Sequence, residues 1–314
     1  MSVREQSPTV GWSEEEVPGT GGSAARITLS NPGRRNALTL DMYDQLHQAC
    51  EEIDAAPRVR VAVLRGAGGR AFAAGTDIRE FRGFTGADGV AYERRVGRAV
   101  ERLAALRMPV IAAVEGPAVG GGFALTACCD IVVCTPDAVF GAPVARTLGN
   151  CLAPAVVARL YACLGRARTL RALLTAELIG AREAHAAGFV AEIAEGGTEG
   201  DGADSGGHGP DGGGDGATGD GNGNGGTGEG GTGDGDGDGD GDGSLDAHID
   251  RLTARIAACA PLTLAALKEA DRRVLSGPAP GPAEDLYELC YGSRDFGEGV
   301  AAFLDKRPPR WQGR

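Results

Sequence analysis

PVIAAVEGPAVGGGFALTACCDIVV, residues 109–133, sets the fold class of this chain. It opens with PVIAAV, small and β-branched apolar residues that read as a strand. Three glycines follow, Gly120, Gly121 and Gly122, and then an apolar run that reads as a helix. Glycines at a strand-to-helix junction let two backbones approach closely, and the first N–H groups of a helix have no partner inside it. DIVVC then begins another strand. Strand, glycine turn, helix, strand is the grammar of an α/β core.

The same grammar extends in both directions. Upstream, ARITLS (25–30) and VRVAVLRG (59–66) read as strands. Between them TLDMYDQLHQACEEID (39–54) reads as a helix, with Thr39 as N-cap and Met42, Leu46, Ala49 and Ile53 at helical spacing. GAGGRAFAAGTDIREF (66–81) is a second glycine-rich loop, and VAYERRVGRAVERLAAL (90–106) a long helix. Downstream come a short strand in AVFGAP, helices near 153–175 and 181–187, and a strand in VAEI. Helical periodicity returns over 245–275 and in AEDLYELC and EGVAAFLDKR, as a docking or oligomerisation region would show.

These patterns divide the chain into four parts. Residues 1–22 are polar and glycine-rich, and are expected to be disordered or peripheral. The α/β core covers 23–195, and a helical region covers 244–314. Between them, 196–243 is almost wholly Gly and Asp, with 12 acidic side chains and no Lys or Arg. Such a segment offers nothing to bury and cannot offset its ordering entropy, so disorder is expected. Its DGDGDGDGDG run offers oxygen ligands, but the Glu that closes a calcium loop is missing: Leu245 and Ala247 stand there.

The formal charge of −12 resides in that insert. Elsewhere 31 acidic residues meet 31 basic ones, so the chain has no basic face for nucleic acid. The eight cysteines show no CxxC pair and several lie in apolar runs, the pattern of reduced, buried thiols in a cytoplasmic protein. The N-terminus has no apolar core of a signal peptide, and no apolar run approaches the roughly 18 residues that span a bilayer.

Chemistry is expected at the two glycine loops. Side by side, they can aim two N–H groups at one developing oxyanion. Neither matches the GxGxxG of a dinucleotide site.

Five landmarks in order give these loops a family. NPGRRNALTLDMYDQL, GRAFAAGTDIREF, PVIAAVEGPAVGGGFALTACCDIVV, AREAHAAGFVAEI and EGVAAFLDKRPPRW resemble the crotonase (enoyl-CoA hydratase/isomerase) superfamily. The resemblance covers roughly 25–195 and 245–311. It implies a ββα spiral core, a C-terminal helical region, and a homotrimer or hexamer. It also implies an acyl-CoA substrate, with coenzyme A carried by the substrate and no separate cofactor. The oxyanion donors fall on the backbone N–H groups of Thr76 and Gly121. Arg79 falls where a basic residue approaches the CoA phosphates, and Phe303 and Lys306 match a pair that touches the CoA nucleotide, often across a subunit boundary. Asp77 and Asp130 match acidic positions read as structural.

One departure limits the reading. The family's two catalytic glutamates fall on Ala124 and Val144, so neither slot holds a carboxylate. A positioned acid or base contributes roughly 10²–10⁴ in rate, so ordinary hydration should be largely lost. The polar groups just beyond, Arg146, Thr147, Asn150 and Cys151, are the candidates to replace them. Arg146 could hold a substrate carboxylate in a decarboxylase or hydrolase, and Asn150 could bond an enolate or orient water. Packing of a rebuilt turn is the simpler role for this group, and a CoA-binding protein without chemistry is the third reading. His47 and His185 lie on helices, away from these loops in sequence.

Overall fold

The strands of the core alternate between two sheets, and that alternation brings the two glycine loops together. The computed structural model describes residues 7–195, 243–276 and 284–314. Its elements are β1 (Thr9–Val17), β2 (Gly22–Ser30), α1 (Leu40–Ala55), β3 (Val59–Gly66), β4 (Ala73–Ala74), α2 (Gly86–Ala104) and β5 (Val110–Val114). Then follow β6 (Pro117–Val119), α3 (Gly121–Thr126), β7 (Ile131–Cys134), β8 (Val139–Gly141), α4 (Pro154–Leu164), α5 (Arg166–Thr175) and β9 (Ile179–Gly180). The chain continues through α6 (Ala181–Ala186), β10 (Glu192–Ile193), α7 (Leu245–Ala257), α8 (Pro261–Ser276), α9 (Glu284–Tyr291) and α10 (Arg294–Leu304).

One sheet has the order β1-β2-β3-β5-β7-β10, parallel except for the β1–β2 pair. The other has the order β4-β6-β8-β9, with only β8–β9 antiparallel. Each of β3, β5 and β7 therefore hands the chain to a strand of the second sheet, which makes the spiral. Both faces of the larger sheet are covered. Ile27, Leu64, Ala112 and Val132 face one core with α1 and α2, while Val61, Val63, Ile111 and Val133 face another with Leu245, Ile249 and Leu252 of α7. Double coverage explains why VIAAV is buried at every position.

Local chemistry fixes the helix starts. The Thr39 hydroxyl accepts from the Met42 N–H at 3.2 Å, as its N-cap role requires. The second helix starts at Gly86, four residues before the apolar period does, because Thr85 and Asp88 form a capping box. The helical run over 245–275 is two helices, separated at 258–260.

Within the 1–22 expected to be disordered or peripheral, β1 is an ordered strand at the edge of the larger sheet. Val10 and Trp12 alternate toward the core, and the Trp12 indole N–H donates to Glu52 of α1 at 2.9 Å. Glu14, Glu15 and Glu16 interrupt the apolar alternation, which hid the strand. Residues 196–242 of the Gly/Asp insert lie outside the described residues. No helix among the described residues is long and apolar enough to cross a membrane.

Lys268 fastens the C-terminal helices to the core. Its ammonium donates to the Met108 carbonyl at 2.8 Å and pairs with Asp130 at 2.8 Å, with 10% of the side chain exposed. Asp130 also accepts from the Val110 N–H at 2.6 Å, confirming its structural role. Lys268→Met should cost about 1–3 kcal/mol in urea unfolding, the range for a charged hydrogen bond lost at a half-buried carboxylate. A loss below about 0.5 kcal/mol would place this contact among the weak surface pairs.

Candidate functional site

Thr76 and Gly121 stand at the ends of adjacent strands of the smaller sheet. β4 pairs with β6 through Ala73–Ala118 and Ala74–Val119, and Thr76 lies just beyond that ladder. On its other side, Leu38 donates to the Gly75 carbonyl and accepts from the Asp77 N–H, both at 2.8 Å. In a parallel bridge the residue between those two points its own N–H the other way, toward β6 and α3. Gly121 is the first residue of α3, so its N–H has no acceptor within the helix. Among the described residues neither N–H has a partner.

Each glycine of the triplet answers a different requirement. Gly120 adopts φ 56°, ψ −114°, a conformation closed to L side chains, and its N–H donates to the Gly141 carbonyl at 2.8 Å. A methyl group on Gly121 would overlap the Tyr43 hydroxyl and lie 3.1 Å from Leu38 Cδ1. A methyl group on Gly122 would overlap the Ala73 carbonyl oxygen and lie 3.1 Å from its carbon. On the facing loop Gly75 has φ 102°, and a Cβ built on Gly120 would meet its Cα at 3.4 Å. The two loops are therefore in backbone contact.

Above them is a cavity of about 320 Å³. Its walls are mainly apolar, with Ile78, Phe81, Val96, Val100, Leu152 and Val156 among them. Ala124 and Val144 both line it, so the two slots face the cavity and carry no polar atom. Thr147, Asn150 and Cys151 line it as well, and Arg146 does not. The turn explains why. N–H groups of Thr147, Leu148 and Gly149 converge on the Val144 carbonyl, the last at 2.8 Å, and the exposed Arg146 side chain donates instead to the Ala176 carbonyl at 3.4 Å. Of the four polar groups expected to face the thioester, three line the cavity within one chain, and Arg146 lies outside that lining.

Sequence reading missed the groups that α2 brings to this cavity, Tyr92 and Glu93, and also Tyr43 of α1. Tyr92 and the Thr76 hydroxyl are 2.8 Å apart, and the Phe81 ring meets Tyr92 edge-on at 4.9 Å. The Tyr43 hydroxyl is fully enclosed without a hydrogen-bond partner among the described residues. Burial pushes Tyr43 well above its usual pKa, and pushes Tyr92 to about 12, so both stay protonated donors at neutral pH. Burial also raises the pKa of the Glu93 carboxyl from its ordinary value. The available signal was the helical spacing 93, 96, 97 and 100, all four of which line the cavity.

Comparison with known proteins gives the family. A sequence model described as enoyl-CoA hydratase/isomerase matches residues 19–196. The chain belongs to that family, within the crotonase superfamily. A probable enoyl-CoA hydratase of Mycobacterium leprae is 36% identical over 167 residues. That match covers 53% of this chain and 63% of the relative's length. Two solved structures cover nearly the whole fold. An enoyl-CoA hydratase/carnithine racemase from Magnetospirillum magneticum has 31% identity and a TM-score of 0.73, covering 93% of both chains. A putative enoyl-CoA hydratase/isomerase family protein from Hyphomonas neptunium has 28% identity and a TM-score of 0.75, covering 97% of this chain and 98% of its own.

In this member of the enoyl-CoA hydratase/isomerase family, the remaining predicted residues fall outside the cavity. Phe303 of α10 is 85% exposed and, with Lys306 just after that helix, is absent from its lining within one chain. His47 and His185 are absent too; His185 Nδ1 lies 2.9 Å from the Val190 carbonyl oxygen. Arg79 grips the buried Asp77 carboxylate at 2.5 Å. That guanidinium holds the Asp77 pKa at about 2, below its ordinary value. A depressed carboxyl stabilises the fold above the unfolded-state pKa and loses that contribution as pH falls through the folded one. Unfolding measured between pH 5 and 2 should therefore fall less steeply in Asp77→Asn than in the wild type; parallel curves would contradict the assignment.

Proposed function

We propose that the protein processes acyl-CoA thioesters by holding the thioester oxygen between the N–H groups of Thr76 and Gly121 as an enolate forms. The observation that carries this is the pair of partnerless N–H groups at two loops in backbone contact, on residues that line a mainly apolar cavity. Preorganised donors of this kind are worth about 2.7–4 kcal/mol each in a transition state. The apolar walls suit an acyl chain, and enolate chemistry at a thioester needs no cofactor beyond the coenzyme A of the substrate. A homotrimer or hexamer would supply Phe303 and Lys306 from a neighbouring subunit, and Arg79 from the same chain, to the CoA moiety.

The reaction belongs to the lyase or isomerase class, and efficient water addition is not part of the proposal. Ala124 and Val144 leave no carboxylate in either slot, and each missing acid or base costs roughly 10²–10⁴. The decarboxylase or hydrolase alternative lacks support, since Arg146 is turned toward Ala176.

Crotonyl-CoA tests this in two stages. Calorimetry should show binding, and mass spectrometry in deuterated water should show hydration at least about 10²-fold slower than a relative with both glutamates. Absence of binding would end the proposal. Fast hydration would end only the weight placed on Ala124 and Val144.

A further inference from the structure

If the loops at Thr76 and Gly121 hold an enolate, some group must move the proton that makes it. Of the residues lining the cavity, only Glu93 carries a carboxylate among the described residues. It stands on α2 one turn before Val96 and Gly97, on the same face as Val100. Tyr92, its neighbour in sequence, reaches the Thr76 hydroxyl at 2.8 Å, so this turn of α2 lies against the loop that carries the Thr76 N–H. Glu93 also lines a larger outer groove of about 1350 Å³, which shares Phe81, Leu148, Asn150 and Cys151 with the cavity. The carboxylate therefore sits between the inner site and the outer channel.

Glu93 is half-buried, and no described residue forms a hydrogen bond or ion pair with it. Its i+3 and i+4 neighbours on the helix are Val96 and Gly97, which offer no charge, and Arg95 pairs with Asp41 and Asp44 of α1. A half-buried carboxylate without a partner loses hydration with nothing in return unless a ligand or a proton supplies it. Burial raises its affinity for a proton, which suits a base that must take one from carbon.

We propose that Glu93 is the catalytic acid/base of this site, supplied from α2 in place of the two carboxylates missing at Ala124 and Val144. The substrates are thioesters with an abstractable proton on the carbon next to the thioester carbonyl. The Glu93 carboxylate takes that proton, and the C–H electron pair forms a carbon–carbon double bond. The carbonyl π pair moves to the thioester oxygen, where the N–H groups of Thr76 and Gly121 receive it. Reversal returns the proton to the same carbon, or to the far end of a conjugated enolate when the chain is a 3-enoyl group. No water, oxidant or second carboxylate enters the balance.

This inference rests on the enolate reading, and hexanoyl-CoA in deuterated water separates the two. Mass spectrometry follows deuterium uptake, and calorimetry follows binding of the same thioester. Wild-type protein should bind and exchange. Glu93→Gln, which keeps the shape of the side chain, should bind within a few-fold of wild type and exchange at least about 10²-fold more slowly. Glu93→Asp should recover part of the rate, and serves as the second variant should the first fold poorly. Exchange in Glu93→Gln at the wild-type rate overturns the role of Glu93 and leaves the enolate site standing. Binding by wild type without exchange overturns it too. Absence of binding by wild type overturns the enolate reading, and this inference with it.

Discussion

Gly122→Ala is expected to cost on the order of 3 kcal/mol of stability and to abolish thioester binding. Its new methyl would meet the Ala73 carbonyl, which belongs to backbone and cannot swing aside. Ala73 opens β4, the strand that delivers Gly75 and Thr76, so relief of the overlap must displace the Thr76 N–H. Gly121→Ala makes a useful contrast. There the obstacle is the Tyr43 hydroxyl, an atom that Tyr43→Phe removes. The double variant should recover much of the stability lost by Gly121→Ala, whereas Tyr43→Phe should rescue nothing in Gly122→Ala. Urea unfolding and calorimetry with crotonyl-CoA check both. Normal binding by Gly122→Ala would show that the spacing of the two loops is not what fixes the site.

The second large effect is a gain. Joint replacement Ala124→Glu with Val144→Glu should raise hydration of crotonyl-CoA by about 10² or more over wild type. Both positions line the cavity, so the new carboxylates would enter the space where the acyl chain is proposed to lie. Either substitution alone should yield far less, because groups that act as a unit are strongly non-additive. The stability cost of two carboxylates on an apolar wall should be visible in unfolding, and is separable from the rate. A double variant that binds crotonyl-CoA and hydrates it no faster would show that the rebuilt turn at 143–149 has moved the second slot.

Much of this was legible in the sequence, for identifiable reasons. Some segments announced themselves: the helix capped by Thr39, the strand in PVIAAV, the glycine triplet. The division of strands between two sheets was not visible. β4, β6 and β8 hold two or three residues each, too short for any periodicity. β1 was missed because three consecutive glutamates read as a polar tail, although Val10 and Trp12 carry the alternation. Arg146 was assigned to the site from its place after Val144. The turn that wraps three N–H groups around the Val144 carbonyl has no one-dimensional signature. Glu93 escaped notice for the opposite reason. Among Arg94, Arg95 and Glu101 it looks like part of a solvated face, and only the packing of α2 against the Thr76 loop turns it inward.

The central claim is that Thr76 and Gly121 stabilise an enolate oxygen, and a β-ketoacyl-CoA tests it without requiring any proton-transfer residue. Such thioesters ionise to an enolate that absorbs in the near ultraviolet, so the protein can be titrated at fixed pH and the enolate band followed directly. The account predicts that bound ligand is enolised to a far greater extent than free ligand in the same buffer. Saturable binding with an unchanged enolate fraction would contradict it, and would leave a thioester pocket without an oxyanion site.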